Sequence, residues 1–135
     1  MIPKFRAWDK VKEIFTNYQI VDGMLYFMDK NTGAWERDDK EKRFILMQST
    51  GLQDKNGIEI FEGDIVRWKD LESFDDFKID EVLKVEYSNE FLKWVAIDKN
   101  GLQDDLYDFS DNRELGVIGN IYENPELLEE NNDCN

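Results

Sequence analysis

The stretch from Met47 to Val66, Met-Gln-Ser-Thr-Gly-Leu-Gln-Asp-Lys-Asn-Gly-Ile-Glu-Ile-Phe-Glu-Gly-Asp-Ile-Val, constrains the fold more than any other segment. Its apolar runs are short and are punctuated by glycine, a pattern that suits strands and tight turns rather than a helix. It reads as strand, turn, short strand, glycine corner and strand. Thr50-Gly51 and Asn56-Gly57 need backbone angles that glycine reaches without steric cost, and Gly63 turns the corner. Ile65 and Trp68 fall on opposite sides of the strand that follows. Ile65 is expected in the core, and one of the two can instead face the N-terminal segment.

Three turns share one chemistry: Asp29-Lys30-Asn31-Thr32-Gly33, Asp54-Lys55-Asn56-Gly57 and Asp98-Lys99-Asn100-Gly101. An aspartate accepts a hydrogen bond from the backbone two residues on, and Asn-Gly accepts left-handed angles. Gly-Leu-Gln-Asp occurs at both 51–54 and 101–104, but the flanks differ. This is reused turn chemistry rather than an internal repeat.

Lys4 to Trp8 alternates polar and apolar residues and meets a turn at Asp9-Lys10. Val11–Phe15, Tyr18–Val21 and Leu25–Met28 are further strand-like pieces, with a hairpin signal at Asp22-Gly23. Arg37 to Arg43 is a charge run, expected as a solvated loop. Lys69 to Asp80 is an acidic loop carrying Phe74 and Phe77. Glu81–Ser88 and Phe91–Asp98 alternate as a hairpin joined at Ser88-Asn89-Glu90. Leu115–Tyr122 supplies a last strand, where Gly116 and Gly119 allow a bulge or close backbone approach. Asn124-Pro125-Glu126 predicts a helical turn with Asn124 as its N-cap. These signals predict a mainly β protein. Residues 44–128 are read as a small SH3-like β-barrel with a short C-terminal helical turn, residues 1–43 as an N-terminal β-meander packed on it, and residues 129–135 as a disordered tail.

Ordered segments at Pro3–Asp9, Met47–Val66 and Glu114–Leu128 resemble the YopX family of phage and prophage proteins. The resemblance spans nearly the whole chain and departs most between Lys69 and Arg113. It implies a small phage- or prophage-encoded cytoplasmic protein with a largely β fold, and it carries no activity with it.

The residues bound the chemistry. There is no histidine, which removes Ser-His-Asp and Cys-His catalysis and histidine zinc sites. The single cysteine, Cys134, permits neither an intrachain disulfide nor a cysteine zinc site. No P-loop or dinucleotide fingerprint follows a strand. Asp54-Lys55-Asn56-Gly57 fails as a calcium loop, since glycine falls too early and Ile65 stands where a bidentate glutamate belongs. Asp76-Phe77-Lys78 has the spacing of a metal-nuclease ending, but in a charged loop that spacing arises by chance. No cofactor, metal or catalytic residue is expected. The first residues lack the apolar core of a signal peptide and no run is long enough to span a bilayer, so a cytoplasmic protein without membrane contact is expected.

Against 17 basic residues stand 31 acidic ones, a net charge of −14. Nucleic acid is therefore a disfavoured partner, and a basic protein or peptide surface is favoured. Phe74 and Phe77, set among Asp75 and Asp76, form the candidate partner-binding site: apolar anchors ringed by carboxylates. The expected function is a non-enzymatic accessory protein that binds another protein. Two alternatives remain: an acidic nucleic-acid mimic that blocks a host DNA-binding enzyme, and a carboxylate-built metal-dependent hydrolase. Unpaired edges of the meander also leave room for homo-oligomers.

Overall fold

A computed structural model describes residues 4–37, 43–70, 79–110 and 115–130. The candidate residues Phe74, Asp75, Asp76 and Phe77 lie outside these ranges, as do residues 38–42 of the charge run and Cys134. The chain is mainly β, as the alternation predicts, and divides into two compact units, Met1–Ser49 and Thr50–Asn135.

The first unit holds β1 (Phe5–Asp9), β2 (Ile14–Thr16), β3 (Tyr18–Val21), β4 (Met24–Met28), β5 (Trp35–Glu36) and the opening of β6 (Phe44–Gln53). β1 lies between β2 and β6, with Trp8 opposite both Phe15 and Ile45. β3, β4 and β5 form a three-stranded antiparallel sheet in that order. The hairpin turn at Asp22-Gly23 has both residues at positive φ, 51° and 76°, the two-residue turn that matches strand twist. Ala7, Phe27 and Phe44 are the core, backed by Tyr18, Leu25 and Leu46. The Phe27 and Phe44 rings stack at 4.6 Å. Val11 belongs to the turn between β1 and β2 and is exposed, so the strand predicted from Val11 begins only at Ile14.

Arg43 does not share the solvation expected of the charge run. Its guanidinium forms a two-pronged bond to Asp9, 2.9 Å from Nε to Oδ1 and 2.7 Å from Nη2 to Oδ2, and also reaches Asp29 and Glu36. Asp9 is fully buried and accepts the Val11 and Lys12 amides as well. One arginine thus ties the β1–β2 turn to the β4–β5 turn.

The second unit holds the end of β6, β7 (Glu59–Phe61), β8 (Asp64–Asp70), β9 (Ile79–Ser88), β10 (Lys93–Ile97), β11 (Gln103–Asp105), α1 (Leu106–Ser110), β12 (Leu115–Asn120) and α2 (Glu126–Glu130). Its sheet runs β11-β10-β9-β8-β12, and its paired strands are antiparallel. Ile60, Val66, Leu83, Val85, Ala96, Leu106 and Leu115 form the core, with Trp68 and Trp94 packed on its margin. Ile65 is wholly buried, as expected, on the opposite face of β8 from Val66 and Trp68.

The repeated turns have the predicted chemistry. Asp29, Asp54 and Asp98 each accept the amide two residues on, at 2.9, 2.8 and 2.8 Å, and Gly33, Gly57 and Gly101 take φ of 74°, 80° and 83°. The second carboxylate oxygen distinguishes two of them: that of Asp29 meets Arg43, and that of Asp54 accepts the Val117 amide of β12 at 2.9 Å. β12 bulges between Val117 and Gly119. A Cβ on Gly119 would stand 2.5 Å from Asn124 Oδ1, so close approach is the reason for glycine there. Asn124 precedes α2, but its side chain turns back to accept the Asn120 amide at 3.3 Å rather than capping the helix.

Candidate functional site

The acidic loop predicted from Lys69 to Asp80 is strand at both of its ends: Lys69 pairs with Asp80 and Asp70 with Ile79 at one end of the β8–β9 ladder, because the backbone pairing continues past the last alternating residue. At the other end of β9 lies a site that alternation hid. Ser88 pairs with Lys93, so the hairpin closes through four residues, Asn89 to Leu92. Phe91 and Leu92, predicted as the start of a strand, sit in this turn. The Phe91 amide donates to Ser88 Oγ at 3.1 Å. Leu92 has φ 55° and is 73% exposed, and Phe91 is 57% exposed.

A leucine in the left-handed region is disfavoured because its Cβ crowds the backbone. The β1–β2 turn repeats the geometry, with Glu13 at φ 57° in the last of its four loop positions. There the residue is polar and its place in water needs no explanation. Leu92 combines a strained backbone with an apolar side chain in solvent.

Behind the turn, Tyr87 and Trp94 face each other across the ladder with rings edge to face, 5.2 Å between centroids. Tyr87 is exposed and Trp94 half-buried, so the core ends at this margin in an open aromatic pair. Lys93 lies 5.8 Å from the Phe91 ring and 3.3 Å from Asp105. Of the four tryptophans, Trp8 is buried, Trp68 and Trp94 are half-buried, and Trp35 is exposed.

The net negative charge is confined to one unit. Residues 1–49 hold 9 basic and 8 acidic side chains, while residues 50–135 hold 8 and 23, a net of −15. Within the second unit Asp80 is neutralised by a two-pronged bond from Arg67, which holds its carboxyl below the usual range. Burial, and then the carboxylates of Asp98 and Asp104, push the Glu81 carboxyl up. Among the described residues, no group of three or more His, Cys, Asp or Glu is arranged to hold a metal ion. Among them too, no helix is long and apolar enough to cross a membrane.

Comparison with known proteins agrees with the fold. No functionally curated protein matches the chain. Protein EF1440 from Enterococcus faecalis is similar in crystal structure at a TM-score of 0.62, with 27% identity over 95% of this chain and 99% of that one. Protein yopX from Bacillus subtilis is similar at a TM-score of 0.57, covering 92% of this chain and 96% of its own; at 20% identity this likeness is one of fold. The family model described as YopX protein matches residues 4–129, so this chain belongs to the YopX family.

Proposed function

We propose that this protein is a phage- or prophage-encoded accessory factor of the host cytoplasm that acts without chemistry of its own, by holding another protein at the Asn89–Leu92 end of its acidic unit. The observation that carries this reading is Leu92, strained at φ 55° and exposed beside Phe91. Backbone strain and solvent exposure both oppose folding, and such residues persist where a site uses them. Apolar anchors on a surface of net charge −15 suit a partner with a greasy pocket rimmed by lysine and arginine, whose approach the field accelerates.

The strand order supports an SH3-like reading of residues 64–120. Four strands meander, a short helix follows, and the last strand returns beside the first. In that reading Trp94 and Tyr87 are the aromatic margin on which such domains seat ligands. The test is affinity capture from host cells with the tagged protein and with Phe91→Ser. A basic protein retained by the first and lost by the second supports the reading, and identical captured sets refute it. A nucleic-acid mimic draws on the same charge, and it predicts instead that DNA displaces the captured protein while Phe91→Ser changes nothing.

A further inference from the structure

Among the described residues, β3 is an outer strand of the β3-β4-β5 sheet. β3 is Tyr-Gln-Ile-Val, without a charge, a proline or a bulge, the usual devices that keep an edge from pairing. Among the described residues it pairs with β4 on one side only. The Met28 amide donates to the Asn17 carbonyl at 3.0 Å, so residues 17, 19 and 21 turn their backbone groups toward β4. Tyr18 and Ile20 therefore aim theirs away from it. Ile20 is 65% exposed, and Val21 and Met24 are exposed beside it.

We propose that β3 pairs antiparallel with β3 of a second copy of this chain, about a two-fold axis through Gln19. The outward groups fix the register. Tyr18 of each copy exchanges two hydrogen bonds with Ile20 of the other, giving four in all, and the two Gln19 residues stand opposite each other as a non-hydrogen-bonded pair. The occupant follows from the strand itself. An antiparallel pair of identical strands presents the same surface twice, and the unit that carries β3 has 9 basic and 8 acidic residues, so it does not repel its own copy. The pairing lines up Ile20 with Tyr18 on one face and adds apolar contact to the backbone bonds. With four residues in the strand the contact is small, and the dimer forms in a concentration-dependent way.

The register is testable by cross-linking. Opposed residues of a non-hydrogen-bonded pair have Cα atoms about 4.5 Å apart, within disulfide range. In a Cys134→Ser background, Gln19→Cys should oxidise to a covalent dimer. Sedimentation of the native protein should show a dimer that strengthens with concentration. Ile20→Lys, on an exposed side chain, should raise the dissociation constant about tenfold or more while leaving the circular dichroism unchanged. Added salt should leave the dimer intact or tighten it, because it screens the acidic units, whereas it should weaken binding of a basic partner. A native protein that stays monomeric up to its solubility limit overturns the proposal. So does a dimer indifferent to Ile20→Lys, or a Gln19→Cys protein that does not cross-link.

Discussion

Replacing Leu92 by asparagine should make the protein more stable and less able to bind. In the left-handed region an ordinary side chain is disfavoured by about 1–2 kcal/mol, and asparagine is among the few residues that visit it routinely. Leu92 is 73% exposed, so little buried apolar area is lost to offset the gain. The expected net is about 1 kcal/mol of added stability, or roughly 3–4 °C in melting temperature for a chain of this size. Urea denaturation reads the total, and hydrogen exchange of the β9 and β10 amides locates the gain. Glu13→Asn is the control: φ is 57° at the same place in a four-residue turn, in the other unit. It should stabilise comparably and leave partner capture unchanged. A Leu92→Asn protein that is less stable than the native one would mean that Leu92 is held by packing rather than strained in water.

Other outcomes follow from the same contacts. Gly119→Ala places a methyl carbon 2.5–2.9 Å from the Asn124 side chain and should cost about 2–3 kcal/mol in a denaturation experiment. Most of that loss should vanish when it is measured in an Asn124→Gly background. Asp54→Ala removes the acceptor for three amides, one of them 63 residues away on β12, and should cost about 2–3 kcal/mol. Asp98→Ala removes two local bonds and should cost about 1 kcal/mol. Arg43→Met strips the buried Asp9 of its partner and should cost about 3 kcal/mol, toward the low end for such pairs because water reaches part of the guanidinium.

The Arg43 cluster also sets a pH dependence. Burial alone raises the Asp9 carboxyl, but the Arg43 bond and the Lys12 and Val11 amides outweigh it and hold the group below its ordinary 3.8. The Asn31 amide and then Arg43 do the same for Asp29. Both groups therefore take up protons more readily in the unfolded chain. Their stabilisation is fully present above the unfolded values, near pH 4, and is lost as pH falls through the lower folded ones. Denaturation midpoints measured from pH 7 to pH 2 should fall below pH 4, and that fall should be smaller in Arg43→Met.

What could be read in advance was local. The Asp-Lys-Asn turns were legible because each aspartate bonds to its own neighbours, and Ile65 because parity along a strand assigns faces. Arg43 was not legible as a hub, since Asp9 lies 34 residues away and only folding brings the two together. Phe91 and Leu92 were assigned to a strand because alternation continues unbroken from Phe91 to Asp98; that rule failed where Leu92 takes a left-handed backbone in the turn. The hint was available in the short interval between two strongly alternating strands, which four turn residues fill better than three. The side-chain role of Asn124 was hidden for a different reason, because its contact depends on the bulge at Gly119.

Recognition of a basic protein by the apolar turn of the acidic unit is the proposal on which the function rests. It is tested most directly by the affinity of the captured partner for the native chain, Leu92→Asn and Phe91→Ser at low and high salt. Both variants should remain folded and bind at least about tenfold more weakly, and native binding should weaken as salt rises. Equal affinities across the three proteins, with no response to salt, would contradict it.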